Sequence, residues 1–109
     1  MPETILETQP PNREADICFA LADRTRINIV HALEKHPYSV NELTSELGIP
    51  QPMTSRHLKI LRERGLVQST RHGVSVTYAL SDPRLLDVLA MLNDISARET
   101  LNTNGGSNA

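Results

Sequence analysis

The chain of 109 residues is 39% hydrophobic and 22% charged, which fits one globular domain and leaves no apolar run long enough to span a membrane. Net charge is −2, the lone Cys18 excludes an intrachain disulfide framework, and 3% aromatic content excludes a platform for stacking bases. Met1-Pro2-Glu3-Thr4 lacks a basic region followed by an apolar stretch, so a cytoplasmic protein without a secretory leader is expected.

Residues 1–11 hold Pro2, Pro10 and Pro11 and no sustained period, which predicts a flexible N-terminal arm. Asn12 can cap a first helix, with Glu14 and Asp16 in its first turn and Ile17, Phe19, Ala20 and Leu21 as its apolar residues, ending near Ala22. Asp23 can cap a second helix with Ile27, Ile29, Val30 and Leu33, which stops before Pro37. Ser39 and Glu42 form a capping-box pattern for a short third helix with Val40, Leu43 and Leu47 inward. Gly48 stops it, Ile49-Pro50 turns, and a fourth helix runs from about Gln51 to Arg64, where Gly65 ends it.

The period then changes. Val74, Val76, Tyr78 and Leu80 alternate with Ser75, Thr77 and Ala79, as in a strand with one buried face. Leu66 to Thr70 is a second β-compatible run, and Arg71-His72-Gly73 joins the two as a hairpin. Ser81-Asp82-Pro83 opens a last helix that reaches about Thr100, followed by a flexible tail over 102–109. The order α-α-α-α-β-β-α is mainly α with a small β-hairpin. A short helix, a tight turn, a second helix and a hairpin make a winged helix-turn-helix, here spanning residues 12–101 with dimerisation helices at both ends.

Charge is segregated along this order. Residues 51–73 carry Arg56, Lys59, Arg62, Arg64 and Arg71 against Glu63 alone, whereas residues 1–23 carry Arg13 against Glu3, Glu7, Glu14, Asp16 and Asp23. On a helix of about 100° per residue, Gln51, Ser55, Lys59 and Arg62 form one polar stripe with Arg56 at its edge. Amide, hydroxyl and guanidinium groups near a helix start read base edges, and basic residues further along suit phosphates. Thr54 shares a face with Leu58 and Leu61, yet as a hydroxyl near the helix start it is included among the candidate DNA contacts. Arg71 and His72 join them as a wing reaching the minor groove or phosphates. The bland alternative is a solvated amphipathic helix; the flanking turn and hairpin favour DNA.

The stretches Ala20-Leu21-Ala22-Asp23-Arg24-Thr25-Arg26, Val40-Asn41-Glu42-Leu43, Gln51 to Leu61, Arg64-Gly65-Leu66-Val67 and Tyr78-Ala79-Leu80 occur in the order found in the ArsR/SmtB family. Over about residues 12 to 100 the chain resembles these small bacterial repressors. The resemblance implies a cytoplasmic homodimer that represses transcription at a near-palindromic operator and lets go when an inducer binds. It also implies that Gln51, Pro52, Ser55 and Arg56 meet the major groove, although Pro52 stands where a polar residue is frequent, which argues against a base contact from it.

Dimerisation is expected independently. Leu85, Val88, Leu89, Leu92 and Ile95 follow helical spacing, while Leu86, Ala90 and Met91 widen the apolar surface; Ile17 and Phe19 of the first helix are the companion surface. Sensor residues are harder to place. The family's Cys-x-Cys metal pair corresponds to Ser39 and Asn41, and of its Asp-x-His pair with two later ligands only Asp82 survives, with Arg84, Ile95 and Arg98 in the other places. Neither metal site is expected, and no cofactor is assigned. His31, His36, His57 and His72 make no ligand motif, and a structural role is favoured for each, with a site using Asp16 or Glu14 across a dimer left open. Cys18 is a candidate redox switch, with a buried small hydrophobe as the favoured reading. The inducer is open among a metal, an oxidant, a small molecule and none. Paired carboxylates, an activated nucleophile and a phosphate-binding glycine loop are lacking, so no enzyme is predicted. The rival to a DNA-binding repressor is a winged-helix module that binds protein.

Overall fold

The computed structural model describes residues 12–108, with side chains through Arg98; the expected arm over 1–11 lies outside the described residues. Among the described residues, five helices and a hairpin follow in chain order: α1 (Arg13–Leu21), α2 (Arg24–Ala32), α3 (Val40–Leu47), α4 (Gln51–Glu63), β1 (Val67–His72), β2 (Ser75–Leu80) and α5 (Arg84–Asn108). This is the expected winged helix-turn-helix. Among the described residues, no helix is long and apolar enough to cross a membrane.

The starts and stops follow from local chemistry. Asn12 and Asp23 accept the backbone N–H groups of Ala15 and Arg26, at 2.9 Å and 3.1 Å. At α3 the capping box closes from both sides: Ser39 Oγ accepts from Glu42 N–H at 3.1 Å, and Glu42 Oε1 accepts from Ser39 N–H at 2.8 Å. Acceptance of the Ser39 backbone N–H is the chief reason the Glu42 carboxyl lies below its ordinary range. Gly48 ends α3 in the left-handed region at φ 66°, which directs the chain into the tight turn before α4.

The core lies where α2, α3 and α4 converge. Ile29, Val30, Leu43, Leu58 and Leu61 are fully enclosed, and Leu66, Val67, Leu85 and Leu89 extend the cluster toward the hairpin and α5. The hairpin pairs antiparallel from Val67↔Leu80 to His72↔Ser75. Tyr38 adds a one-residue bridge to the outer edge of β2, exchanging backbone bonds with Tyr78 at 3.0 Å and 2.7 Å. The wing is thereby tied to the segment that leads into α3.

Four expectations change. Arg71 and His72 belong to β1 rather than to the connection, which is the two-residue turn Gly73-Val74 with Gly73 at φ 65°. Val74 is consequently not an inward strand residue: it stands 98% exposed at the tip. Nor does β2 alternate; Val76 to Leu80 are all half-buried, because the strand is shielded by β1 on one edge and Tyr38 on the other. Finally, α5 runs past the expected stop near Thr100 to Asn108, since no proline interrupts it.

Leu61 is enclosed at the α4 seam. Leu61→Ala is expected to lower stability by about 2–5 kcal/mol, read from the midpoint of urea unfolding.

Candidate nucleic-acid interface

α4 presents two faces of opposite character. Thr54, His57, Leu58 and Leu61 are buried, whereas Gln51, Ser55, Arg56, Lys59 and Arg62 are exposed. Periodicity alone separates them, because residues three and four apart share a face. The exposed cations are also uncommitted. Among the described residues, Arg56, Lys59 and Arg62 make no ion pair, while Lys35, Arg64, Arg84 and Arg98 are held by carboxylates. Pro50 precedes the helix without a side-chain cap, and Pro52 sits in its first turn. Pro52 has no N–H, and those of Met53 and Thr54 donate to Pro50 O at 3.0 Å and 3.1 Å, so the first turn is closed on the backbone of Pro50.

Thr54 is a correction. It is fully buried, with its hydroxyl accepting from Thr44 Oγ1 at 2.9 Å and donating to Pro50 O at 3.3 Å. Its oxygen pins α4 to α3 and faces no ligand. Arg71 and His72 are exposed on the wing, but as neighbours in a strand they point to opposite faces.

Behind the interface lies a polar network that sequence reading missed. Arg26 and His57 are both 8% exposed. Arg26 Nη1 lies 3.2 Å from His57 Nδ1, and His57 Nε2 lies 4.0 Å from Asp23 Oδ1. Burial pushes the His57 imidazole below its ordinary 6.5; Asp23 pulls it up, and Arg26 and Arg56 push it further down. Asp23 itself lies below the ordinary carboxylate range, chiefly because it accepts the Arg26 N–H. A signal existed in the sequence. Arg26 precedes Ile29, Val30 and Leu33 at core spacing, and His57 falls between Thr54 and Leu61 on the core face.

The expected dimer surface divides in two. Leu85 and Leu89 are corrections, because each packs into its own domain at 7% and 6% exposure. Val88, Leu92 and Ile95 remain exposed, as do Met91 and half of Phe19, while Ile17 is half-buried. Cys18 is exposed on α1, not a buried hydrophobe. Asp16 accepts from Arg64 at 2.8 Å, and Asp82, held at about 2 by Arg84, is likewise committed to a guanidinium. Among the described residues, no three of His, Cys, Asp and Glu are grouped to hold a metal ion.

A family model described as "Bacterial regulatory protein, arsR family" matches residues 23–69, which contain the two helices of the turn and the start of the wing. The HTH-type transcriptional regulator NmtR of Mycobacterium tuberculosis is 33% identical over 88 residues, covering 81% of this chain and 73% of that protein. The chain belongs to the arsR family. The HTH-type transcriptional repressor SmtB of the same organism is 40% identical over 85 residues, covering 73% of this chain; the chain spans 63% of that relative's length. Among solved structures, the transcriptional repressor BigR of Xylella fastidiosa superposes with a TM-score of 0.68 at 31% identity, covering 77% of this chain and 86% of that one. HlyU of Vibrio cholerae gives 0.67 at 31% identity, covering 73% and 90%.

Two outcomes follow for this arsR-family chain. Thr54→Val removes the acceptor of the Thr44 hydroxyl; a loss of about 1–3 kcal/mol is expected in urea unfolding. Below pH 6.5 the unfolded chain binds a proton that folded His57 resists. Stability therefore falls as pH drops below 6.5, measured as a lower urea midpoint at pH 5.5 than at pH 7.5.

Proposed function

We propose that this chain is a cytoplasmic, dimeric, sequence-specific DNA-binding repressor of transcription that an inducer releases. One observation carries the reading: the second helix of the turn exposes Gln51, Ser55, Arg56, Lys59 and Arg62, whose cations make no ion pair among the described residues, while its other face is fixed in the core. Ser55 and Arg56 near the helix start are assigned to base edges in the major groove, and Lys59 and Arg62 to phosphates. Arg71 and His72 supply the wing's contact. Because they face opposite sides of β1, one of them meets the duplex at a time.

The dimer is supported by the exposed apolar row Val88, Met91, Leu92 and Ile95 on α5, and by the exposed Phe19 on α1. A two-fold pair would set two α4 helices about one DNA turn apart and call for a near-palindromic site. The printed names of relatives agree: SmtB is a repressor, and a Streptomyces lividans relative at 31% identity is named a probable mercury resistance operon repressor. Ser39, Asn41, Arg84, Ile95 and Arg98 stand in the positions of the family's metal ligands, so the metals of such relatives are not carried over.

The full chain is tested by selecting duplexes from a random pool and measuring affinity against salt. A selected palindromic duplex and a steep fall in affinity with salt are expected. Ser55→Ala and Arg56→Ala should each lower discrimination by about 1–3 kcal/mol, while Lys59→Ala and Arg62→Ala weaken all duplexes alike and flatten the salt slope. No duplex binding at low salt, with capture of a protein partner instead, overturns the reading in favour of an interaction module.

A further inference from the structure

The network behind α4 does more than fill space. Arg26 divides its guanidinium among three acceptors: Nε donates to Ala20 O at 2.7 Å, Nη2 to Phe19 O at 3.2 Å, and Nη1 faces His57 Nδ1 at 3.2 Å. A guanidinium has donors only, so Nδ1 must offer a lone pair and the ring proton sits on Nε2, toward Asp23. The neutral imidazole in this tautomer is the form that satisfies Arg26. The two carbonyls belong to the last turn of α1, which carries part of the proposed dimer surface. A second tie reinforces the first. Arg64, at the end of α4, donates to Asp16 at 2.8 Å and lies 4.5 Å from the centre of the Phe19 ring, with Arg26 at 5.5 Å from that ring.

We propose that Arg26 and His57 are positioning residues for DNA recognition: the neutral imidazole seats α4 on the end of α1, and duplex affinity falls when His57 gains a proton. This rests on the repressor reading above. Protonation puts an N–H on Nδ1 against an N–H of Arg26, breaks that bond and brings a second cation into a buried site. The charged groups acting on the ring are Asp23, Arg26 and Arg56. Asp23 attracts the cation at Nε2, the two arginines repel it, and the end of α1 presents carbonyls already taken by Arg26. Relief requires the imidazole to leave its seat. His57 adjoins Arg56 and lies two residues from Ser55 and Lys59 in one rigid helix, so the whole exposed stripe moves with it. Hydrogen bonds to base edges weaken steeply with such misalignment.

The test compares His57→Asn with the parent, both carrying His72→Gln so that the wing imidazole does not gain charge at the DNA. The Asn oxygen occupies the place of Nδ1, accepts from Arg26 and does not titrate. The probe is the duplex recovered by selection, at fixed salt. From pH 7.5 to 5.5 the parent should lose about tenfold in affinity and the Asn variant less than about twofold, each measured against its own affinity at pH 7.5. A second measurement needs no substitution at His57: in an NMR titration, the amides of Ser55 to Arg62 should shift with the same midpoint as the His57 ring. Parallel affinity profiles, or a ring that titrates while those amides stay still, overturn the positioning role. Absence of duplex binding at pH 7.5 overturns the repressor reading as well, so the two failures are told apart.

Discussion

Everything the exposed side of α4 can do depends on how its other side is held. Thr54, Leu58 and Leu61 are enclosed at three successive levels of the helix, so any roll of α4 costs core packing. That constraint turns a string of polar residues into a surface of fixed orientation. Leu58 and Leu61 supply apolar burial. The Thr54 hydroxyl adds direction, because its bond to Thr44 fixes where along α3 the start of α4 must sit.

Charge is arranged around the same constraint. Among the described residues, the cations that α4 turns toward solvent make no ion pair, whereas Arg26 on α2 and Arg64 at the end of α4 are bound. Arg26 reaches two carbonyls and an imidazole, and Arg64 reaches Asp16 and the Phe19 ring. A buried guanidinium is tolerable only when its donors are met, so Arg26 specifies the relation of α1, α2 and α4 more tightly than an aliphatic residue of that size could. The net charge of −2 is therefore a poor guide to binding; what matters is which cations remain free and on which face.

Much of the fold was legible because periodicity and caps report backbone needs directly. The Asn12, Asp23 and Ser39 caps and the Gly48 stop all act as their chemistry predicts. The failures share a physical cause: a residue's type says less than its place. Thr54 has a hydroxyl that serves DNA or a neighbouring helix equally well, and only its buried position decides. Val74 is apolar and fits an alternating strand, but the turn needs Gly73 at positive φ and leaves the valine at the tip. Arg26 and His57 sat at core spacing, and a polar residue there signals a buried partner that no local pattern identifies.

On α5 the spacing showed how wide the apolar surface is but not which edge belongs to which body. Leu85 and Leu89 close the protomer's own core, and Val88, Leu92 and Ile95, on the adjoining flank, stay in water at about half exposure. The division has a consequence for control. One helix is rooted in the core through two leucines and leaves its other side exposed, the side proposed above for the dimer. At the opposite end of the chain α1 does the same, with Ala20 and Leu21 inward and Phe19 outward against the arginines that reach α4. A change in how two copies meet would thus act on the end of α1, and from there on the orientation of α4, through contacts already present within a single protomer.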